Sequence, residues 1–124
     1  MTNQTQNSES QKIYDLEERT AKFGIEVIIF CKKSVKNAVI NPLISQLVRS
    51  ATSIGANYME ADGAESKKDF YHKIGICKKE AKETMHWLRM IAETEESLKS
   101  ECRRLWKEVH ELALIFSAII NRRK

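Results

Sequence analysis

Apolar residues recur along most of this chain at alternating steps of three and four, the spacing that puts them on one face of an α-helix. In the first such segment Leu16, Phe23, Val27 and Phe30 hold the core positions of a heptad, Thr20 fills the gap, and Ile28, Cys31 and Val35 widen the stripe. The pattern predicts a helix from about Lys12 to Lys36. Asn41-Pro42 reads as a boundary, since Asn is a good N-cap and Pro is tolerated at the first helical position. Beyond it Ile44, Leu47, Ala51, Ile54 and Tyr58 define a second helix that runs to Glu60-Ala61-Asp62-Gly63, with Gly63 a candidate C-cap. Ser66-Lys67-Lys68-Asp69 resembles a capping box and predicts a third helix from about Lys67, carried by Phe70, Ile74, Cys77, Ala81, Thr84, Leu88 and Ile91. The polar stretch Glu93 to Ser97 breaks it, and Ser97 can cap a fourth helix. Leu98, Cys102, Leu105, Val109, Leu112, Phe116 and Ile119 then continue to about Asn121.

Four amphipathic helices joined by short loops predict an all-α, antiparallel up-and-down four-helix bundle over residues 12–124; a three-helix coiled coil with a loose first helix is the alternative. Residues 1–11 are polar and are expected to form a disordered arm. Composition agrees with one helical domain. The chain has 124 residues with only four Gly and one Pro, too few turn formers for an all-β sandwich or barrel. Three cysteines, Cys31, Cys77 and Cys102, show no C-x-x-C spacing and read as small buried hydrophobes of a reducing compartment. With no signal-peptide pattern, and with a longest nearly apolar run of Leu112 to Ile120, the protein is expected to be cytoplasmic and not membrane-spanning.

Catalytic signatures are sparse. Glu83-Thr84-Met85-His86 has the E-x-x-H spacing of di-iron bundles, but the heptad register turns Glu83 and His86 away from the core, and there is no second copy of the motif. No phosphate-binding glycine loop and no Ser/His/Asp or Cys/His set can be picked out by spacing, so no enzyme, metal or cofactor is expected.

Three features remain. On the second helix Arg49, Ser53, Asn57 and Glu60 form a polar stripe opposite the core residues, either a solvated face or a hydrogen-bonding network. Gly55, with Ala51, Ser53 and Ala56 around it, costs helix propensity and so points to close packing at that place. The last two helices carry more apolar residues than one core needs: Trp106, Ala113, Leu114, Ile115 and Ile120 on the fourth and Trp87 and Met90 on the third, with Ile25, Ile28 and Ile29 adding to the surplus from the first. These are read as subunit-interface candidates, with a wide core stripe as the plain alternative.

Charge is mildly basic. Lys plus Arg number 21 against 17 for Asp plus Glu, a net +4, and the excess lies in residues 65–124, which hold 14 basic and 10 acidic residues. The clusters there are Lys78, Lys79 and Lys82; Arg103, Arg104 and Lys107; and Arg122, Arg123 and Lys124, candidates for sequence-independent contact with a phosphate backbone or simply solvated faces.

The run from Gln46 to Glu60, followed by Ser66 to Phe70, resembles a bacterial four-helix bundle family encoded in intervening sequences of 23S rRNA genes, also called the S23 ribosomal protein family. The family's second helix reads R-x-x-x-S-I-x-x-N-I-A-E-G and leads into S-x-x-D/E-F. Arg49, Ser53, Ile54, Asn57, Glu60, Ser66, Asp69 and Phe70 match, and Glu83 aligns with a family Glu. Tyr58-Met59 stand where Ile-Ala is usual, Ala61 replaces Gly, and Lys79-Glu80 replace Gly-Ser. The resemblance implies a cytoplasmic, non-enzymatic homopentamer, which at this chain's charge would total about +20. A related branch, the accessory protein of diversity-generating retroelements, implies RNA, DNA or a nucleic-acid-processing protein as partner. Two readings stand open here: an adaptor oligomer presenting a basic surface to RNA or DNA, and a pure protein-interaction module, for example for a reverse transcriptase or a ribosome-associated factor.

Overall fold

Four long helices follow one another in the computed structural model, which describes residues 15–123: α1 (Leu16–Lys33), α2 (Ile40–Asp62), α3 (Lys67–Thr94) and α4 (Lys99–Asn121), with one 3₁₀ turn (Glu96–Leu98) between the last two. The expected arm 1–11, the start of the first helix at Lys12 and the terminal Lys124 lie outside the described residues. Each helix packs on the next along the chain, and α4 returns to touch α1 only lightly, which closes a four-helix bundle and rules against the three-helix alternative.

The ends of the helices follow local chemistry, in three places not as the sequence pattern predicts. Here α1 stops at Lys33, because Ser34 is extended and the Lys36 ammonium folds back onto the carbonyls of Cys31 (3.2 Å) and Ser34 (2.9 Å). Glu17 and Glu18 in its first turn and Lys32 and Lys33 in its last complement the helix dipole. The residue that caps α2 is Asn37, four positions before the expected Asn41. Its Oδ1 accepts from the backbone N–H groups of Val39 (3.0 Å) and Ile40 (2.8 Å), and Asn41 is already helical, its own N–H bonded to the Asn37 carbonyl at 2.9 Å. An Asn upstream takes the capping role because it meets two free N–H groups before Asn41 can. At the other end Gly63 does cap α2, with its N–H on the Met59 carbonyl at 3.2 Å. Ser66 caps α3 as expected, its Oγ accepting from the Asp69 N–H at 3.1 Å. Ser97 does not cap α4: it sits inside the 3₁₀ turn and its hydroxyl donates to Glu95 Oε2 at 3.0 Å.

The core is the predicted heptad seam. Phe23, Val27, Leu47, Ile54, Ile74, Leu88, Leu105, Leu112 and Phe116 are buried, each such side chain contributing about 1.5–3 kcal/mol by leaving water. Small residues bring two seams close. Between α1 and α2, a side chain at Gly55 would place its Cβ 3.3 Å from Thr20 Oγ1, which explains the glycine there. Between α2 and α3, the buried hydroxyls of Thr84 and Ser50 meet at 2.9 Å; Ser50 passes the chain of hydrogen bonds on to the Leu47 carbonyl, so neither polar group is left unsatisfied. Thr20, the polar residue in the first heptad, is satisfied within its own helix by the Leu16 carbonyl at 2.7 Å. Ala113, one of the interface candidates, belongs to this core, because the side of α4 it occupies packs within the chain.

Candidate functional site

The polar stripe of α2 lies along the rim of the α2/α3 seam. Arg49 donates to Glu83 and, at 3.3 Å, to Glu80 on α3, and Glu60 accepts from Lys73 at 2.5 Å, so three ion pairs cross the seam, two at one end of the stripe and one at the other. Between them Ser53 donates back to the Arg49 carbonyl (2.7 Å) and Asn57 to the Ser53 carbonyl (2.8 Å), both within α2. Arg49, Glu60 and Glu83 are thereby brought into interhelical contacts, while Ser53 and Asn57 are not. Glu80 completes the Arg49 clamp and was not among the residues singled out, although its position one turn before Glu83 is the signal that finds it.

On the opposite side, where α4 meets α1 lightly, the seam opens into a groove of about 820 Å³. Its floor includes Phe23, and its walls carry Arg19, Lys22, Arg103, Arg104, Lys107, Glu26, Glu108 and Glu111. The acidic groups are engaged by arginines: Arg19 binds Glu108 at 2.9 Å and also Glu111, and Arg104 binds Glu101 at 2.9 Å and Glu26 at 3.3 Å. The carboxylates of Glu108 and Glu111 hold the Arg19 guanidinium above its usual range despite burial, so it stays charged at any accessible pH. Lys22, Arg103 and Lys107 are left with no hydrogen bond or ion pair to any described residue. Arg103 and Lys107 stand on the crest of α4 and also line a second groove of about 470 Å³ against α3, with Arg89, Lys99, Glu93 and the Trp106 ring. Trp106 stacks on His110, ring centres 4.7 Å apart at 22°. The crest is therefore a ridge of free cations with a groove on each side and one aromatic plane within reach.

The other basic candidates divide. Lys78, Lys79 and Lys82 surround a shallow hollow of about 490 Å³ on α3 with Gly75, Glu83, His86 and Trp87, and none of the three lysines is paired with a described residue. Arg104 is occupied by its two glutamates, Arg123 lies over the Tyr71 ring at 5.8 Å, and Arg122 is exposed just past the end of α4. Lys22 and Arg89 join the basic surface without having been predicted, since neither stands in a cluster along the sequence and only the packing of α1 and α3 against α4 brings them to it.

Of the apolar candidates on α3 and α4, Leu114 alone is largely exposed, at 57 %; Trp87, Trp106, Ile115 and Ile120 are half-buried against the core. The larger exposed patch is on α1 and α2, where Ile25 (56 %), Ile28 and Met59 (62 %) line a groove of about 290 Å³ with Ala21, Gly24, Thr52, Gly55 and Ala56. The Trp87 indole N–H is buried without an acceptor among the described residues, and its ring meets His86 edge-on at 4.8 Å.

Glu83 is taken up by Arg49 and His86 is exposed, so the E-x-x-H pair is not gathered into a centre; among the described residues no group of three or more His, Cys, Asp or Glu stands close enough to hold a metal ion. All three thiols are buried, and burial pushes Cys31 up to about 11 and Cys77 and Cys102 up to about 12, so they are protonated at neutral pH and poor nucleophiles. No described helix is long and apolar enough to cross a membrane.

These features define an all-α bundle protein with a clamped α2/α3 seam and a basic α4 crest. The chain belongs to the 23S rRNA-intervening sequence protein family, whose model matches residues 10–118. It is similar in structure, with a TM-score of 0.75 and 29 % sequence identity, to a protein of unknown function from the S23 ribosomal protein family of Bacteroides thetaiotaomicron; the match covers 84 % of this chain and 96 % of that one. No curated protein matches it.

Proposed function

We propose that this chain is a non-enzymatic, cytoplasmic homo-oligomer, pentameric as the family resemblance implies, that holds RNA or DNA through its basic surface without reading sequence. The observation that carries the nucleic-acid half is the α4 crest: Arg103 and Lys107, with Lys22 across the groove, make no ion pair with any described residue, whereas the neighbouring acidic side chains Glu26 and Glu108 are occupied by arginines. Cations left unpaired along a grooved ridge suit a phosphate backbone, and Trp106 beside them suits an unpaired base, so a single strand is favoured over a duplex. Repetition of the crest in an oligomer multiplies a small charge per chain into a field that holds a polyanion.

Binding of a short single-stranded RNA at 50–300 mM salt tests this. Each phosphate neutralised contributes about 0.7 to the slope of log affinity against log salt. The double variant Arg103→Ala, Lys107→Ala is expected to bind more weakly and to reduce that slope by about 1.4. Absence of binding by the parent protein at the lowest salt removes the nucleic-acid half. The second reading, a protein-interaction module without nucleic acid, is favoured by the exposed Ile25, Ile28 and Met59 and would then stand.

A further inference from the structure

We infer that the oligomer is built head-to-tail: the Leu114 ridge of α4 in one copy enters the α1/α2 groove of the next. This rests on the oligomeric half of the reading above. The groove is concave, its floor made of Ala21, Gly24 and Gly55 and its walls of Ile25, Ile28 and Met59. Two concave faces cannot fill each other, so a convex apolar residue is required. Among the described residues, Leu114 is the only large apolar side chain more than half exposed that lies outside α1, α2 and the turn between them. It stands on the outward side of α4, and Ala118, one turn further on, is small and exposed, which lets the helix come close to a floor without bulk.

Charge fits the same contact. Glu17 and Glu18 form one end of the groove, eight and seven residues from Ile25 and so about 10–12 Å along the helix. Arg122 lies eight residues from Leu114, about 12 Å, and has no ion pair with any described residue. Antiparallel docking that places Leu114 beside Ile25 and Ala118 over Ala21 sets Arg122 against the glutamate pair, and leaves the Arg103 half of the α4 crest outside the contact. Because ridge and groove are different surfaces of one chain, the contact is heterologous, and repeating it generates a ring when the rotation closes.

Light scattering on Leu114→Asp and Ile25→Asp tests the contact; both positions are exposed, and circular dichroism verifies that each variant remains folded. Each variant alone is expected to be monomeric. An equal mixture is expected to form dimers of twice the chain mass, since one variant retains an intact groove and the other an intact ridge. Retention of the parent mass by either variant, or a mixture that stays monomeric, overturns the head-to-tail contact. A parent protein that is itself monomeric at 100 μM overturns the oligomeric reading and this contact with it.

Discussion

Two glycines in helix interiors are expected to respond in opposite directions when alanine replaces them. A helical glycine costs about 1 kcal/mol relative to alanine, through the backbone freedom it must lose. At Gly75 an added Cβ meets no atom within 4 Å, so Gly75→Ala recovers that amount in full. At Gly55 the Cβ would lie 3.3 Å from Thr20 Oγ1 and 3.6 Å from the Thr20 backbone carbon. Thr20 is 2 % exposed and its hydroxyl holds the Leu16 carbonyl at 2.7 Å, so it cannot turn aside without giving up a buried hydrogen bond. That loss, or the alternative of moving α1 off α2, costs about 1–3 kcal/mol. Gly55→Ala is therefore expected to be about 1 kcal/mol less stable than the parent, and about 2 kcal/mol less stable than Gly75→Ala. Urea denaturation at fixed protein concentration reads this as opposite shifts of the midpoint with an unchanged slope. In melting temperature Gly75→Ala corresponds to a rise of about 4 °C. Equal stabilisation of both variants would refute the close approach of α1 and α2 at Thr20, and destabilisation by Gly75→Ala would refute the open surroundings of Gly75.

Two further outcomes follow from the buried thiols and the α2/α3 clamp. The thiols titrate near 8.5–9 in the unfolded chain and at about 11 to 12 when folded, so below pH 8 they contribute no pH dependence; above pH 9 the unfolded chain loses protons first, and stability falls with rising pH by about 1.4 kcal/mol per unit for each thiol. Denaturation between pH 8 and 10.5 checks this, with Cys77→Ala expected to flatten the decline, and a flat profile in the parent would contradict it. Arg49→Ala leaves Glu80, whose side chain is only 13 % exposed, without its cation, and is expected to lower stability by about 0.5–1 kcal/mol while leaving the salt dependence of RNA binding unchanged; a reduced salt slope in this variant would place Arg49 in the nucleic-acid surface instead.

The heptad pattern was legible because burial is periodic: residues such as Phe23, Ile54, Leu88 and Phe116 are buried at the steps of three and four that their spacing predicts. The α3 cap at Ser66 and the α2 end at Gly63 were legible for a similar reason, since each depends on atoms within three or four residues. Asn37 was hidden by Asn41-Pro42, a stronger local signal that loses to a side chain placed earlier. The surplus of apolar residues was visible, but which of them remain exposed was not. Trp106, Ile115 and Ile120 tuck against the core, and Ala113 enters it, whereas Ile25, Ile28 and Leu114 stay in the open. A wide stripe looks alike along the chain whether a neighbouring helix covers its edge or not.

By itself, then, the sequence determined the class of fold, the four helices, the core seam and the family motif at Arg49 to Glu60, because all of these are properties of short spacings repeated along one helix or of residue identities. Only the tertiary structure decided which charges are neutralised and which are free. Arg103 and Arg104 are neighbours in the chain, yet the approach of α1 brings Glu26 to Arg104 while Arg103 turns to the crest beside Lys107. A one-residue step rotates a helical side chain by about 100°, so two adjacent arginines face different helices. Glu101, three residues away, is a local partner of Arg104, but Glu26 lies 78 residues away and reaches it only through the packing of α1 on α4.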